Sequence, residues 1–445
     1  MTDRHSSYDP AGPAIIVDPY SSGAQLAPAF AARGIDPVAI MSAPQPPSVY
    51  ASSYRPQDFA VVLVDDGDFE TLVARVRSLR PRCILAGCES GVELTERLAP
   101  LVVPEVANVA ALAAARRHKG RMAEAVTRGG HRTIAQVCAD NADQVAHWIE
   151  RTGLSGHDLV IKPPKSASTD GVTLVPEGRG WREVFDSALH ATNRLGIIND
   201  SLVVQQYVEG TEYVVDTFSH DGIHTVTDVC RYTKVRNGRQ MAVYDTMEWV
   251  DPSLPVVDEL VSYARGVLDA VGMRFGAAHV EIMDTADGPV LIELGARPHG
   301  GGQPWFCLRA TQDSQIERTV RYFAGQRDIP AGYQLVEQVL VVFHIVGHAA
   351  YVADVDGLAR IRALPNYYYS SHNFEPGDHL GATKDLFGTL DVGFVVFSGP
   401  ERAALWEDYA AVRSIEAELF IACEPTAPPG RPGSVGGKNV EALSG

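Results

Sequence analysis

Short apolar runs alternate with amphipathic ones at the start of the chain, where AIIVDPY, AQLAPAFAARG, DPVAIMSA, ETLVARVRSLRP and CILAG follow one another up to Gly87. The apolar runs read as strands buried on both faces, and the runs with apolar positions three and four apart read as helices. Strands and helices in alternation predict a parallel α/β layer. Tyr20-Ser21-Ser22-Gly23 and Cys88-Glu89-Ser90-Gly91 stand where strands hand over to helices. Such carboxyl ends line the ligand crevice of open α/β sheets, although Ser and Gly there serve equally well as helix caps.

The rhythm changes after a helical stretch, NVAALAAARRHKGRMAEAVTRGG. DLVIKPPKSASTDGVTLV reads as strand, small-residue loop and strand, and Trp181 to Leu195 reads as a helix. SLVVQQYVEGTEYVVDTFSHDGIHTVTDVCRYTK then predicts a meander of antiparallel strands, punctuated at Gly210 and at Asp221-Gly222. A helix over Pro255 to Val271 precedes GAAHVEIMDTADGPVLIELGARPHGGG, two alternating strands flanking Ala286-Asp287-Gly288-Pro289 and hence a hairpin. A helix near Ile316 to Ala324, strands in LVVFHIVGHAAYVADV and TLDVGFVVFSG, and a final helix in ERAALWEDYAAVRSIEAELF complete the ordered pattern. Residues 426–445 are rich in Pro and Gly and are predicted to be disordered. No internal repeat is present.

Charge narrows the classes of function. The 445 residues carry a formal net charge of -17, with no clustered Lys and Arg, which argues against a nucleic-acid partner. No run of about 18 apolar residues offers a membrane span. The N-terminus lacks the basic leader and long apolar stretch of a signal peptide, and the six cysteines are scattered through apolar segments, so a cytoplasmic, reduced protein is expected. Cys83 and Cys88 lack a second matching pair or nearby histidines, so burial is favoured over a zinc site.

Chemistry concentrates in the hairpin. Residues two apart on a strand share a face, so His279 and Glu281 project together, and Glu293 lies opposite Ile292 and Leu294. If the strands pair across Asp287-Gly288, Glu281 and Glu293 meet, and two carboxylates that close require a positive partner. Mg²⁺ takes one or two carboxylates plus phosphate oxygens. Arg297, just beyond, can offer a guanidinium to a phosphate or an oxyanion, and Gly300-Gly301-Gly302 suits close backbone approach to a ligand or a hinge. The plainer alternative is two solvent-facing glutamates and a surface ion pair. Lys162 ends the strand LVIK, and the loop Ser166-Ala167-Ser168-Thr169-Asp170-Gly171 has the small hydroxylic composition that wraps polyphosphate or simply tips a hairpin.

In sequence order, Lys119 in its helix, VIKP with the small-residue loop, VVQQYVEGTEY, HVE and IELGAR resemble the ATP-grasp superfamily. SASTDGV, EYVVDTFSHDG and DGPVLIELGARPHGGG are similar to the L-amino acid ligase group within it. The resemblance implies an α/β fold with α+β lobes. These would be an N-terminal Rossmann-like parallel domain over 1–107, linker helices and a small central lobe over 108–207, and a larger antiparallel C-terminal lobe over 208–425. It implies ATP and Mg²⁺ as cofactors, with Mn²⁺ as an alternative metal. Lys119 and Lys162 would touch ATP phosphates, and Ser168, Thr169 and Gly171 would lie in the loop that closes over them. Gln205, Tyr207 and Val208 would meet the adenine, and Glu212 the ribose. Glu281 and Glu293 would bind metal, and Arg297 would steady the acyl phosphate and the tetrahedral intermediate. Two positions depart from the usual pattern: Gln205 replaces an acidic residue, and Gly295 replaces an asparagine that normally supplies a metal ligand.

The expected activity is ATP-dependent joining of an amino acid carboxylate to an amine, with ADP and phosphate released. Alternatives are a ligase or cyclase using another nucleophile, and a silent ATP-binding regulator. Substrate contacts are sought at Ser22, Glu89, Tyr244, Asp245, Glu248, His299 and Trp305, where acidic groups would hold an ammonium and aromatic ones would shape a pocket. The partners are therefore small molecules, not a membrane or nucleic acid, and no residue decides for or against a homodimer.

Overall fold

The computed structural model describes residues 6–237, 240–353 and 355–423, so the predicted disordered tail at 426–445 lies outside the described residues. The first layer holds β1 (Ala14–Val17), β2 (Pro37–Met41), β3 (Val61–Val64) and β4 (Cys83–Ala86), all parallel in the order β3-β2-β1-β4. Helices α1 (Leu26–Ala31), α2 (Phe69–Ser78) and α3 (Val92–Val102) connect them. Ile15 and Val17 pack towards α2 and α3, while Ala14 and Ile16 pack towards Leu26 and Phe30, so β1 is apolar at every position because both its faces are covered. Edge strand β3 leaves Val61 and Val62 partly exposed and has no counterpart among the runs singled out in the sequence.

The next layer begins with α4 (Lys119–Arg128). The stretch expected to be one helix is broken here: a 3₁₀ segment spans Ala110–Arg116, and His118 adopts an extended backbone and caps α4 by accepting from the Arg121 amide. β5 (Gln136–Ala139), α5 (Ala142–Thr152), β6 (Leu159–Lys162), β7 (Thr173–Val175), α6 (Trp181–Ala188) and β8 (Leu202–Gln206) follow. The four strands form an antiparallel sheet in the order β5-β8-β6-β7. α6 stops at Ala188, short of the expected Leu195.

The expected meander is divided between sheets. β8 belongs to the small sheet, and after Tyr207–Gly210 the chain enters an eight-stranded antiparallel sheet. That sheet contains β9 (Thr211–His220), β10 (Ile223–Asn237), β11 (Gln240–Trp249), β12 (Gly276–Thr285), β13 (Gly288–Gly295) and β14 (Gln338–Phe343). β15 (Ala350–Val352) leaves it, β16 (Tyr367–His372) returns to it, β17 (His379–Leu380) leaves, β18 (Gly393–Gly399) returns, and β19 (Phe420–Ala422) closes the chain. The order in the large sheet is β13-β12-β9-β10-β11-β14-β18-β16, and β17-β15-β19 form a separate small sheet. α7 (Pro255–Ala270) packs Leu260, Ala264 and Val267 on one face of the large sheet. α8 (Gln303–Thr311), α9 (Gln315–Phe323), α10 (Gly357–Arg362), α11 (Leu386–Val392) and α12 (Arg402–Leu419) complete the layers. Part of the run TLDVGFVVFSG is therefore helical, because Asp385 caps α11 through the Gly388 amide and carries the helix through Val392. Among the described residues no helix is long and apolar enough to cross a membrane.

Candidate active site

A two-residue turn joins β12 to β13, with Thr285 paired to Gly288, whose φ of +100° favours glycine. The register sets Glu281 directly opposite Glu293 and His279 opposite Gly295. Ile282 then pairs with Leu291, leaving Ile292 as the extra residue of a bulge. The bulge overrides the alternation expected from sequence: Ile292 and Glu293 both line the central cavity, and the Ile292 carbonyl accepts from Lys162 Nζ at 3.3 Å.

Two buried lysines face the acids. Lys119, the first residue of α4, places Nζ 3.1 Å from Glu293 Oε2 and 3.3 Å from the Ser166 carbonyl. Lys162 ends β6, where burial and the neighbouring Lys119 charge depress its pKa to about 8. Burial and the opposing Glu293 charge push Glu281 above the usual carboxylate range. Burial acts on Glu293 in the same sense, but Lys119 and Lys162 outweigh it and hold Glu293 below that range. One ligand atom from each of His279, Glu281 and Glu293 lies within 4.8 Å of the others. The donor set fits a hard divalent cation: two carboxylates face each other, and the ion-pair partner of Glu281 among the described residues is the His279 ring rather than a lysine or arginine.

Arg297 leaves β13 and is held from the first layer. Its Nε donates to Glu89 Oε2 at 3.0 Å, and Arg117 approaches the other Glu89 oxygen at 3.1 Å. Arg297 Nη1 also lies 2.6 Å from His279 Nδ1 and donates to the Pro298 carbonyl at 3.0 Å. His299 bonds through Nδ1 to Asp216 at 2.7 Å and through Nε2 to the Tyr232 hydroxyl. Burial first, with Arg297 adding to it, lowers His299 to about 4, and the same two causes push His279 well below its ordinary value.

Lys162, Glu281, Glu293, His279, Arg297, Glu89 and His299 line one cavity of about 900 Å³, whereas Lys119 does not line it and adjoins it through Glu293. At one end it is lined by Val160, Gln205, Tyr207, Val208 and Met283, at the junction of the small and large sheets. Ser168 and Thr169 line it from the β6–β7 loop with positive φ values of 54° and 62°. Gly171 lies in the same loop at φ +73°, where a Cβ would come 2.8 Å from Pro163 Cγ. Glu212 also lines the cavity, with both carboxylate oxygens accepting from Lys234 at 2.7 and 2.8 Å. A third region is apolar, walled by Tyr244, Phe306, Phe343, Phe394 and the α11 residues Phe387 and Leu390.

The substrate candidates separate into two groups. Glu89, Tyr244 and His299 line the cavity, although Glu89 is already engaged by two arginines. Ser22, Asp245, Glu248 and Trp305 do not line it. Ser22 is buried and accepts from the Gly302 amide at 2.9 Å, while its neighbour Ser21 reaches the cavity. A bulge in β11 pairs Thr246 with Thr233 and Tyr244 with Lys234, skipping Asp245. Tyr244 and Met247 thus face the cavity, while Asp245 meets Arg413 and Tyr409, and Glu248 meets Arg402 and Trp406, all on α12. Trp305 is 41% exposed and stacks on Tyr368. Arg231, Tyr232 and Lys234 of β10 line the cavity and were not singled out in the sequence. Tyr232 and Lys234 continue the two-residue spacing of the buried Asp228 and Cys230, which do not line it, so the spacing carried no mark of where the lining begins.

The sequence pattern of the ATP-grasp domain family matches residues 155–304. Dapdiamide A synthase of Enterobacter agglomerans is 30% identical over 427 residues, 91% of this chain and 96% of that protein. The L-amino acid ligase of Bacillus licheniformis superposes with a TM-score of 0.68 at 15% identity, covering 93% of this chain and 99% of that one. The N5-carboxyaminoimidazole ribonucleotide synthetase of Thermus thermophilus gives a TM-score of 0.61 at 15% identity, covering 93% and 100% of the two chains. At such identities these structures speak to the fold.

Proposed function

Because this chain belongs to the ATP-grasp carboxylate–amine ligases, we propose that it activates an amino acid carboxylate as an acyl phosphate and joins it to the amine of a second amino acid. The observation that carries this reading is the meeting of Lys162, Glu281, Glu293 and Arg297 around one cavity, with Lys119 paired to Glu293 beside it. A substrate carboxylate oxygen attacks the γ-phosphorus of ATP, ADP leaves, and the amine then attacks the acyl carbon and expels phosphate. Lys119 and Lys162 bind the phosphates, and the Ser168–Thr169 loop closes over them to exclude water that would hydrolyse the acyl phosphate. Gln205 and the backbone of Tyr207 and Val208 hold the adenine, and Glu212, oriented by Lys234, holds the ribose. Arg297, anchored on Glu89, stabilises the oxyanion formed when the amine adds. Mg²⁺ held by Glu281 and Glu293 would supply screening of the phosphate charge.

The apolar chamber between Tyr244, Phe343, Phe394 and α11 supports an apolar side chain on one substrate. With ATP and Mg²⁺, pairs that include an apolar amino acid are expected to release phosphate and form an amide of the matching mass. Phosphate release and mass spectrometry over amino acids, singly and in pairs, check this. Absence of phosphate release with every mixture would refute the ligase reading.

A further inference from the structure

His279 is 3% exposed and lies between two groups to which roles are proposed above. Its Nδ1 is 2.6 Å from Arg297 Nη1, and a guanidinium only donates, so Nδ1 must present a lone pair. A neutral imidazole then carries its proton on Nε2, which lies 3.3 Å from Glu281 Oε1 and donates to it. Resting on the proposed roles of Arg297 and Glu281, we infer that His279 is a positioning residue. It bridges the two, accepting from the guanidinium at one ring nitrogen and donating to the metal-binding carboxylate at the other.

Direct ligation by His279 is the competing reading, since its ring lies within the cluster of possible ligand atoms. Coordination through Nε2 while Nδ1 accepts from Arg297 would demand lone pairs on both nitrogens, hence an imidazolate, and Mg²⁺ favours oxygen. Gly295 supplies a second, independent observation. A Cβ there would lie 3.0 Å from His279 Cε1 and 3.1 Å from Arg297 Cζ. Gly295 therefore lacks a side chain where the His279–Arg297 contact occupies the adjacent space. Stacking on His299 at 5.0 Å, with the rings 24° from parallel, restrains the His279 ring plane, and Asp216 and Tyr232 hold His299 in turn.

The full chain labelled with ¹⁵N-histidine, free of metal and nucleotide, tests the tautomer directly. Its His279 signals, assigned by their loss in His279→Asn, are expected to show a protonated Nε2 and an unprotonated Nδ1, and a protonated Nδ1 would overturn the inference. His279→Ala removes both contacts, His279→Asn keeps an acceptor towards Arg297, and His279→Gln keeps a donor towards Glu281. The alanine variant is expected to lower amide formation by about 10- to 100-fold, in the range typical of groups that orient ligands. Amide formed per phosphate released should fall with it, because an unanchored Arg297 leaves the acyl phosphate to water, and asparagine should restore that ratio. Mn²⁺ binding, followed by electron paramagnetic resonance, is expected to weaken by no more than about tenfold. Loss of Mn²⁺ binding in all three variants would make the ring a ligand, and an unchanged ratio in the alanine variant would remove its role. Failure of the underlying site reading is separate: Glu281→Gln or Arg297→Met would then leave turnover intact whatever the tautomer of His279.

Discussion

Two pairs of acidic residues lie within apolar strands of the eight-stranded sheet, Glu281 with Glu293 on β12 and β13, and Asp245 with Glu248 on β11. Asp245 meets Arg413 and accepts from the Tyr409 hydroxyl at 3.0 Å, and Glu248 meets Arg231 and Arg402 and accepts from Trp406 Nε1 at 3.3 Å. Glu293 has Lys119 at 3.1 Å, Lys162 bonds a backbone carbonyl instead of a carboxylate, and Glu281 faces Glu293 with an imidazole as its ion-pair partner among the described residues. Acids surrounded by guanidinium groups are satisfied by the protein itself and hold elements together. Acids left facing each other store repulsion that a bound cation relieves, which suits them to function at a cost in the free protein's stability.

The largest expected difference follows from exchanging charge for amide in each pair. Glu281→Gln should lower amide formation by about 10³-fold or more, as loss of a metal contact at a reacting phosphate implies, while leaving the melting temperature of the metal-free protein unchanged or higher, because burial and Glu293 already disfavour the Glu281 charge. Asp245→Asn should do the reverse. It takes one of two carboxylate partners from the half-buried Arg413, which keeps Glu416, at a cost of about 2 kcal/mol, and turnover per folded molecule should stay near that of the parent. Denaturation and single-turnover rates on both variants check the contrast, which breaks if Glu281→Gln unfolds the protein or Asp245→Asn silences it.

A smaller effect is expected at Lys162. Its depressed pKa means that the folded, nucleotide-free protein holds this proton less tightly than the unfolded chain does. The penalty for burying its charge is present at neutral pH and fades as pH rises from about 8 towards the ordinary lysine value of 10.5, so this residue's contribution makes stability rise over that window. Lys162→Met should therefore raise the melting temperature at pH 7, yet weaken ATP binding by about 10- to 100-fold through loss of a charge-assisted hydrogen bond. In the parent, ATP affinity should fall as pH passes above about 8, and calorimetry in buffers of different ionisation enthalpy should register proton uptake on binding at that pH. An affinity unchanged between pH 7 and 9 would place Lys162 away from the phosphates.

The same contrast marks what could be read from the chain. The pairing of β12 with β13 was legible because Asp287-Gly288 marks a tight turn, but that turn alone would set Glu281 opposite Ile292, and the bulge at Ile292 is what moves Glu293 into that place. The bulges at Ile292 and Asp245 were not, since no Gly or Pro marks either one, and a single extra residue reverses every face beyond it. Asp245 and Glu248 consequently looked like cavity residues in MAVYDTMEW, and apart from Arg231 on β10 the partners named above lie on α12, more than a hundred residues downstream. The anchoring of Arg297 by Glu89 is equally non-local: one belongs to the exit of β13 and the other to the end of β4, and only packing of the first layer against the large sheet joins them.

The smallest effect tests a third setting for a buried carboxylate. Gln205 is 5% exposed, sits near the end of β8 opposite Gln136 and Val160, and lines the cavity where the adenine is proposed to lie. Gln205→Glu introduces an acidic residue of nearly the same shape, and either side chain can accept from the adenine amino group. The new carboxylate would have neither the arginine of Asp245 nor the bound cation proposed for Glu281, so burial should raise its pKa and favour the neutral acid as pH falls. We therefore expect KM for ATP to change by less than about threefold at pH 8, where acceptor chemistry is preserved, and to drift upward towards pH 6 as one acceptor oxygen takes a proton. If the substitution instead abolished ATP binding at pH 8, a bare carboxylate would be intolerable there, and the amide would have to donate rather than accept.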